Sequence, residues 1–408
     1  MRRPDATPFV LDMSHTVLPW RQRLLFALLY FSEGAPIGFI WWALPTRLRS
    51  EGVAVDQIAA LSSLLALPWA LKFLWAPAVD VMRARVGYRP VLLGAQAVMV
   101  GSLAALAGLD LAADFSAVRA ILVLHAFAAA TQDVAIDGLA IARVTPAEEG
   151  RLNAWMQVGM LSGRAVFGGG ALVLVRYLGD SGLLWLLVAC VTGVGLVVLG
   201  IREPTVAHQV SGRYALRGIL KRRETWLALA VALTVAAGFE AVGGLLGPFL
   251  IDSGWSEQRV GLVGFLPSIV AMILGAQAGG VLADRWSPAR AASLTCLLVF
   301  CAVLGLAGAH RLDWALLPWT LVLYTLTGAL TAASYALFMA LSRGAFAATR
   351  FSAFMGATNA CEAWAVAAAG ALAVRFDYAL AFVAVAATSL IALWPLRRLG
   401  AQRVEAGD

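Results

Sequence analysis

Charge is scarce in this 408-residue chain: 13% of its residues are Asp, Glu, Lys or Arg, while 61% are hydrophobic. A composition this apolar excludes an ordinary soluble domain and fits a polytopic membrane protein. Lysine is scarcer still. Lys72 and Lys221 are the only lysines among 31 cationic residues; the rest are arginine. The four cysteines, Cys190, Cys296, Cys301 and Cys361, stand in apolar runs without C-x-x-C spacing. They read as small buried hydrophobes, not metal ligands. No cleavable signal peptide is legible, because the first twenty residues carry Arg2, Arg3, Asp5 and Asp12 and no apolar core. No nucleotide fingerprint, nucleophile motif or metal cluster stands out, so no cofactor, metal or enzymatic activity is expected. The net charge of +7 sits in short loops between apolar runs, which reads as membrane topology and not as a nucleic-acid patch.

Long apolar runs are what the chain has in quantity. A spanning helix needs about 20 mostly apolar residues. Twelve candidates follow one another: 22–46, 56–80, 90–110, 117–142, 151–175, 182–201, 225–250, 257–282, 290–309, 314–341, 350–374 and 378–396. The expected fold is therefore an all-α bundle of twelve transmembrane helices. The longest break, 202–224, divides them six and six. It separates a first half (22–201) from a second (225–396), with an N-terminal segment 1–21 and a tail 397–408. Placing both termini in the cytoplasm puts twenty-two Lys and Arg residues on the inner side and seven on the outer. That bias is the positive-inside signature.

The halves echo each other. Pro45 closes span one before Glu51-Gly52 and Asp56-Gln57, and Pro248 closes span seven before Ser253-Gly254 and Glu257-Gln258. Span two ends in Pro77-Ala-Val-Asp80, span eight in Gly280-Val-Leu-Ala-Asp284-Arg285. These endings are candidate gating loops, with Lys72, Asp80, Asp284 and Arg285 as their charged members. Lys72 has an equal alternative, snorkelling to the nearby interface. Two six-span pseudo-repeats of one hand are the arrangement of a secondary transporter.

Several ionisable residues lie where lipid is hostile to charge. Such residues normally face a bundle interior and mark solute or proton paths. Glu33, Asp133, Asp137, Glu240 and Glu362 are the candidate proton-coupling carboxylates. Asp133 and Asp137 are four apart and share a helix face. Two carboxylates that close in a poorly solvated cavity repel, which suits them to taking up and releasing a proton. For Asp137 the alternative is simple pairing with a loop arginine. Asn153, Gln157 and Arg164 fall on one side of span five, with Arg164 about 20 Å beyond Arg151. A buried guanidinium needs a carboxylate partner or an anionic ligand; Asp133 is the expected partner. Arg164, Gln157, Asn153, Trp41, Trp42, Asn359 and Trp364 are the candidate solute contacts. The tryptophans would stack on a ring of the solute, or serve only as packing.

Four stretches carry a family resemblance: Tyr30-Phe-Ser-Glu33-Gly-Ala-Pro36, Leu48-Arg-Ser-Glu-Gly52, Leu67-Pro-Trp-Ala-Leu-Lys72-Phe-Leu-Trp75-Ala-Pro77 and Ala130-Thr-Gln-Asp133-Val-Ala-Ile-Asp137-Gly138. They resemble the AmpG-like branch of the major facilitator superfamily, which holds muropeptide permeases, RhtX/FptX-type siderophore permeases and acetyl-CoA transporters. The match is dense over residues 25–165. It implies a proton-driven importer in a bacterial inner membrane, with the branch's span-four aspartates at Asp133 and Asp137; a monomer is expected. Its partners would be protons, the lipid bilayer and a bulky polar solute, a ferric siderophore or an anhydro-muropeptide. The chain departs from the pattern in two places. Val81 follows Asp80 where the superfamily has an Asp-Arg pair, and residues 202–224 are a loop where the long muropeptide permeases have extra spans. A proton-antiport exporter of an amphipathic compound and a non-transporting membrane assembly factor are the alternatives.

Overall fold

The computed structural model describes residues 19–143, 149–201, 222–309, 312–342 and 347–405. The central loop read at 202–224 thus lies almost wholly outside the described residues. Eleven stretches among those described are long and apolar enough to cross a membrane. In chain order the helices are α1 (Trp20–Ser50), α2 (Val55–Leu74), the short α3 (Ala76–Val86), α4 (Tyr88–Leu106) and α5 (Phe115–Arg143). Then come α6 (Glu149–Arg164) and α7 (Gly170–Leu199). The second half holds α8 (Arg223–Asp252), α9 (Glu257–Ala283), α10 (Pro288–Gly308), α11 (Asp313–Ser342), α12 (Ala347–Arg375) and α13 (Tyr378–Gly400).

The expected fifth and sixth spans run together. A π-turn, Ala165–Gly169, carries α6 into α7, and Trp155–Leu199 counts as one apolar stretch of 45 residues. At 1.5 Å per residue that is about 68 Å, twice what a bilayer needs. The chain breaks inside it at Gly179, whose φ of 67° and ψ of 174° are not helical. Only glycine adopts such a backbone without strain. Span two is shorter than read. A 3-10 turn, Lys72–Leu74, ends it, and α3 restarts with Pro77 in its first turn. Proline has no N–H to donate and fits there.

The matched loops after α1 and α8 share one backbone form. At the end of α1, Gly52 takes φ 89° and Val53 N–H reaches back to the Leu48 carbonyl at 2.9 Å. At the end of α8, Gly254 takes φ 88° and Trp255 N–H reaches the Leu250 carbonyl at 3.0 Å. Both are left-handed glycine caps with a six-residue closing bond, which satisfies carbonyls that would otherwise be orphaned.

Small residues let the helices meet backbone to backbone. Gly34 and Gly163 lie against each other's helices between α1 and α6, and Gly159 sits on the Ala27 carbonyl. Gly275, Gly279 and Gly328 do the same between α9 and α11. Lipid gives helices no hydrophobic reason to associate, so close van der Waals contact has to supply it. The seam between the first and second halves of the chain is built likewise. Gly247 meets Thr46, Gly261 meets Gly169, Gly370 meets Ala59, and Gly356 approaches the Ala70 carbonyl.

Candidate functional site

Three helices of the first half tie a polar ring. From α1, Tyr30 OH donates to Asp137 Oδ1 at 2.7 Å. From α2, the Lys72 ammonium pairs with Asp133, and Trp69 Nε1 donates to Glu33 Oε1 at 3.4 Å. Each pair of helices among α1, α2 and α5 is thereby joined by side-chain bonds, α1 and α5 also by Gln132 Nε2 donating to Ser32 Oγ at 3.4 Å. The spacing explains it. Tyr30 and Glu33, then Trp69 and Lys72, are three apart, and Asp133 and Asp137 are four apart, so each helix presents two groups on one face. Glu33 is buried and its Oε2 has no partner. The Lys72 and Asp133 side chains keep only 18% and 10% of their surface accessible.

One expectation is corrected here, and one alternative is set aside. Arg164 does not pair with Asp133; Lys72 does. The ammonium stands on the 3-10 turn that ends α2, close to α5, whereas Arg164 points to the other half of the chain. Asp137 is held by Tyr30, not by a loop arginine.

The second charged group joins the halves. Arg164 of α6 interacts through space with Glu240 of α8 and Glu362 of α12, and the two glutamates with each other. Tyr324 and Tyr335 of α11 face the same charges. All three charged residues are half-buried. Among the described residues Arg164 makes no ion pair, and its buried Nε has no hydrogen-bond partner. Glu240 lies twelve residues from the Asp252 end of α8, about 18 Å along the helix axis, which is near mid-bilayer. A guanidinium facing two carboxylates without an ion pair to either, its Nε unpartnered, keeps hydrogen-bonding capacity for a ligand group.

The aromatics divide. Trp41 packs edge-on to Trp69, with ring centroids 5.4 Å apart at 83°, and approaches Glu362. It thus stands between the two charged groups. Trp42 is stacked flat on Phe265 of the other half at 4.9 Å, so one ring face is already covered. Trp364 donates from Nε1 to the Leu233 carbonyl at 2.9 Å. Asn359 is half-buried one turn from Glu362, and Gln157 is exposed two turns from Arg164. Arg285 is exposed. The side chains of Asn153, Asp80 and Asp284 lie outside the described residues.

A third group of charges went unread in the sequence. Arg47 holds Asp180 in a two-pronged contact (3.0 and 2.6 Å), Glu257 at 2.7 Å, and Glu51. Arg49 holds both oxygens of Asp252 at 2.7 and 2.9 Å, and Tyr378 OH donates to the same carboxylate at 2.8 Å. Ser50 adds a bond to Glu257. The contacts to Glu257 and Asp252 cross between the halves and latch this end of the bundle. Burial holds the Glu51 carboxyl above its usual range, Arg47 opposing and Asp180, Asp110 and Glu257 reinforcing. Asp110, nearby, is held below its usual range by the backbone N–H groups of Ala113 and Ala112. The matched loops at 47–57 and 252–258 were the signal. Their facing charges were counted only for topology.

Two polar groups inside an apolar helical bundle, one between its halves, and a latch at one end fit a solute transporter. Comparison with known proteins agrees. The sequence model of the Major Facilitator Superfamily matches residues 26–369. The chain is 30% identical over 349 residues to the anhydromuropeptide permease of Escherichia coli (strain K12), covering 80% of this chain and 69% of that protein. The crystal structure of a D-xylose–proton symporter superposes with a TM-score of 0.75 at 11% identity, over 92% of this chain and 97% of that one. That of the nucleoside transporter NupG gives 0.73 at 13% identity, over 93% and 99%. The last two speak to the fold alone. The chain belongs to the Major Facilitator Superfamily, and within it to the AmpG-like branch.

Proposed function

We propose that this protein imports a bulky, polar, sugar-bearing solute of the anhydro-muropeptide class into the bacterial cytoplasm, driven by protons. It would sit in the inner membrane as a monomer of twelve spans, with the Gly179 break dividing the 45-residue stretch into spans five and six. The latched end would face out and both termini in. The halves, 22–201 and 225–396, would rock about the glycine-lined seam to expose the centre to each side in turn.

The observation that carries this reading is the open charge centre. Arg164 of the first half faces Glu240 and Glu362 of the second with no ion pair to either. Arg164 would take an anionic group of the solute. The glutamates, with Asn359 and Gln157, would accept from its hydroxyl, amide or amine groups, and Trp41 would flank a ring. Proton coupling draws on Glu33, Asp133, Asp137, Glu240 and Glu362. In the first-half ring, three carboxylates face one ammonium. Charge left unbalanced in a low-dielectric site is costly, and incoming protons relieve it.

A thermal-shift panel on the purified protein tests the solute class. An anhydro-muropeptide should raise the melting temperature in a dose-dependent way, by mass action on the folded state. A ferric siderophore should not. The reverse result would move the protein to the siderophore side of its branch, and a shift with neither would remove both solutes.

A further inference from the structure

The three-helix ring has an asymmetry that proton coupling alone does not explain. Two of its bonds come from neutral donors, Tyr30 and Trp69, on regular helix. The third comes from Lys72, on the 3-10 turn Lys72–Leu74 between α2 and α3. A short 3-10 piece between helices is a common site of hinging. The same stretch of α2 forms the seam with the second half, where Gly356 of α12 lies 3.0 Å from the Ala70 carbonyl and 3.6 Å from Phe73, measured from an added Cβ. Lys72 therefore touches the carboxylates on one side of α2 while its neighbours touch α12 on the other.

The groups facing its ammonium are few. Asp133 and Asp137 come from α5 and Glu33 from α1. Tyr30 sits among the same carboxylates, and Tyr335 of α11 faces the ammonium from the second half. After Asp133, Asp137 is its strongest neighbour. It stands four residues, about one helical turn, further along α5, about 6 Å along the axis.

We propose that Lys72 is a movable counter-ion: a proton taken up by Asp133 releases the ammonium, which shifts one turn to Asp137 and carries the 3-10 segment of α2 along the α12 seam. The proton goes to an Asp133 carboxylate oxygen, Lys72 stays protonated throughout, and Asp137 exchanges its Tyr30 hydrogen bond for an ion pair. On return, loss of the Asp133 proton draws the ammonium back. Lys72 is thus a positioning residue, linking protonation to movement between the halves. The inference rests on proton-coupled import and names the residue that transmits it.

The competing role is a static ion pair that only holds α2 to α5. A buried pair of that kind tolerates joint replacement by neutral groups, while loss of one partner is costly. The test is a proteoliposome assay with a tritium-labelled N-acetylglucosaminyl-1,6-anhydro-N-acetylmuramyl tripeptide. Wild type, the double variant Lys72→Met/Asp133→Asn and the single variant Asp137→Asn are compared in two modes. The first is accumulation driven by an imposed pH gradient; the second is exchange at equal pH. Wild-type accumulation checks import itself, so its failure would sink that reading and not this one. Given wild-type accumulation, both variants should exchange solute at near wild-type rates, yet lose pH-driven accumulation about a hundredfold or more, with a flat pH profile (~2.7 kcal/mol of lost coupling). Normal accumulation by the double variant would make the pair static and overturn the proposal. Should the double variant fail to fold, Asp137→Asn decides alone, because it leaves the resting pair intact. Normal accumulation by it removes the landing site from the account, and the proposal with it.

Discussion

The first-half ring and the centre between the halves hold similar residues in opposite conditions. Around Asp133, each carboxylate already has a donor from this chain: Lys72, Tyr30 or Trp69. Around Arg164, two carboxylates and a guanidinium interact through space and bond to nothing in common. The contrast separates two tasks that composition alone would merge. A network whose carboxylates each already hold a donor changes mainly by exchanging partners, which suits a switch. An unsatisfied one between mobile halves gains most when a ligand arrives, which suits a binding site.

Substitutions sharpen that contrast, because one region should lose stability and the other binding. The largest effect is expected from Lys72→Met alone. It strands Asp133 among other carboxylates, and loss of one partner of a buried pair costs about 3–5 kcal/mol. Thermal unfolding in detergent should show it plainly; an unchanged melting temperature would mean the pair contributes nothing. Arg164→Gln breaks no bond of this conformation, so its melting temperature should hold. Its affinity for an anhydro-muropeptide should fall about 10- to 100-fold, the worth of one charged hydrogen bond. A destabilised protein with unchanged affinity would invert the comparison.

Gly261→Ala tests the seam that joins the two regions. The added methyl meets the Gly169 carbonyl across the halves, and overpacking there should disfavour this latched conformation by about 1–3 kcal/mol. Spin-label distances across the latch should lengthen; unchanged distances would show that the seam yields elsewhere. The smallest effect belongs to Glu51→Gln. Its carboxyl is held above the usual range in the latched form, so its contribution to latching is full at low pH and fades as pH rises through that raised value. Protection of the amides at residues 47–57, relative to their intrinsic exchange rates at each pH, should rise on acidification in wild type, and this dependence should flatten in the variant. An unaltered pH dependence would take the sensitivity away from Glu51.

Much of this was legible in the sequence, for physical reasons that also explain what was not. Lipid forbids unpaired backbone groups and stray charge, so long apolar runs and the charges inside them announce themselves. The buried carboxylates, Arg164 and the paired ends of α1 and α8 all stood out on that ground. Pairing did not. Sequence order made α5 and α6 neighbours and joined Asp133 to Arg164. In the fold, Gly34, Gly159 and Gly163 draw α6 against α1 instead, and Lys72 of α2 reaches Asp133. Helix rotation and proximity are set by such small-residue contacts, which hydropathy does not record. The latch was missed for a related reason. Arg47 and Arg49 count the same in topology whether they float in water or clasp Asp180, Glu257 and Asp252.

The central claim is that protons drive an anhydro-muropeptide inward through this bundle. It is tested most directly by loading wild-type protein into liposomes and imposing an inward proton gradient with labelled anhydro-muropeptide outside. Concentrative uptake that a protonophore collapses is the expected result. Uptake that never exceeds equilibration, or that is indifferent to the gradient, would contradict the account.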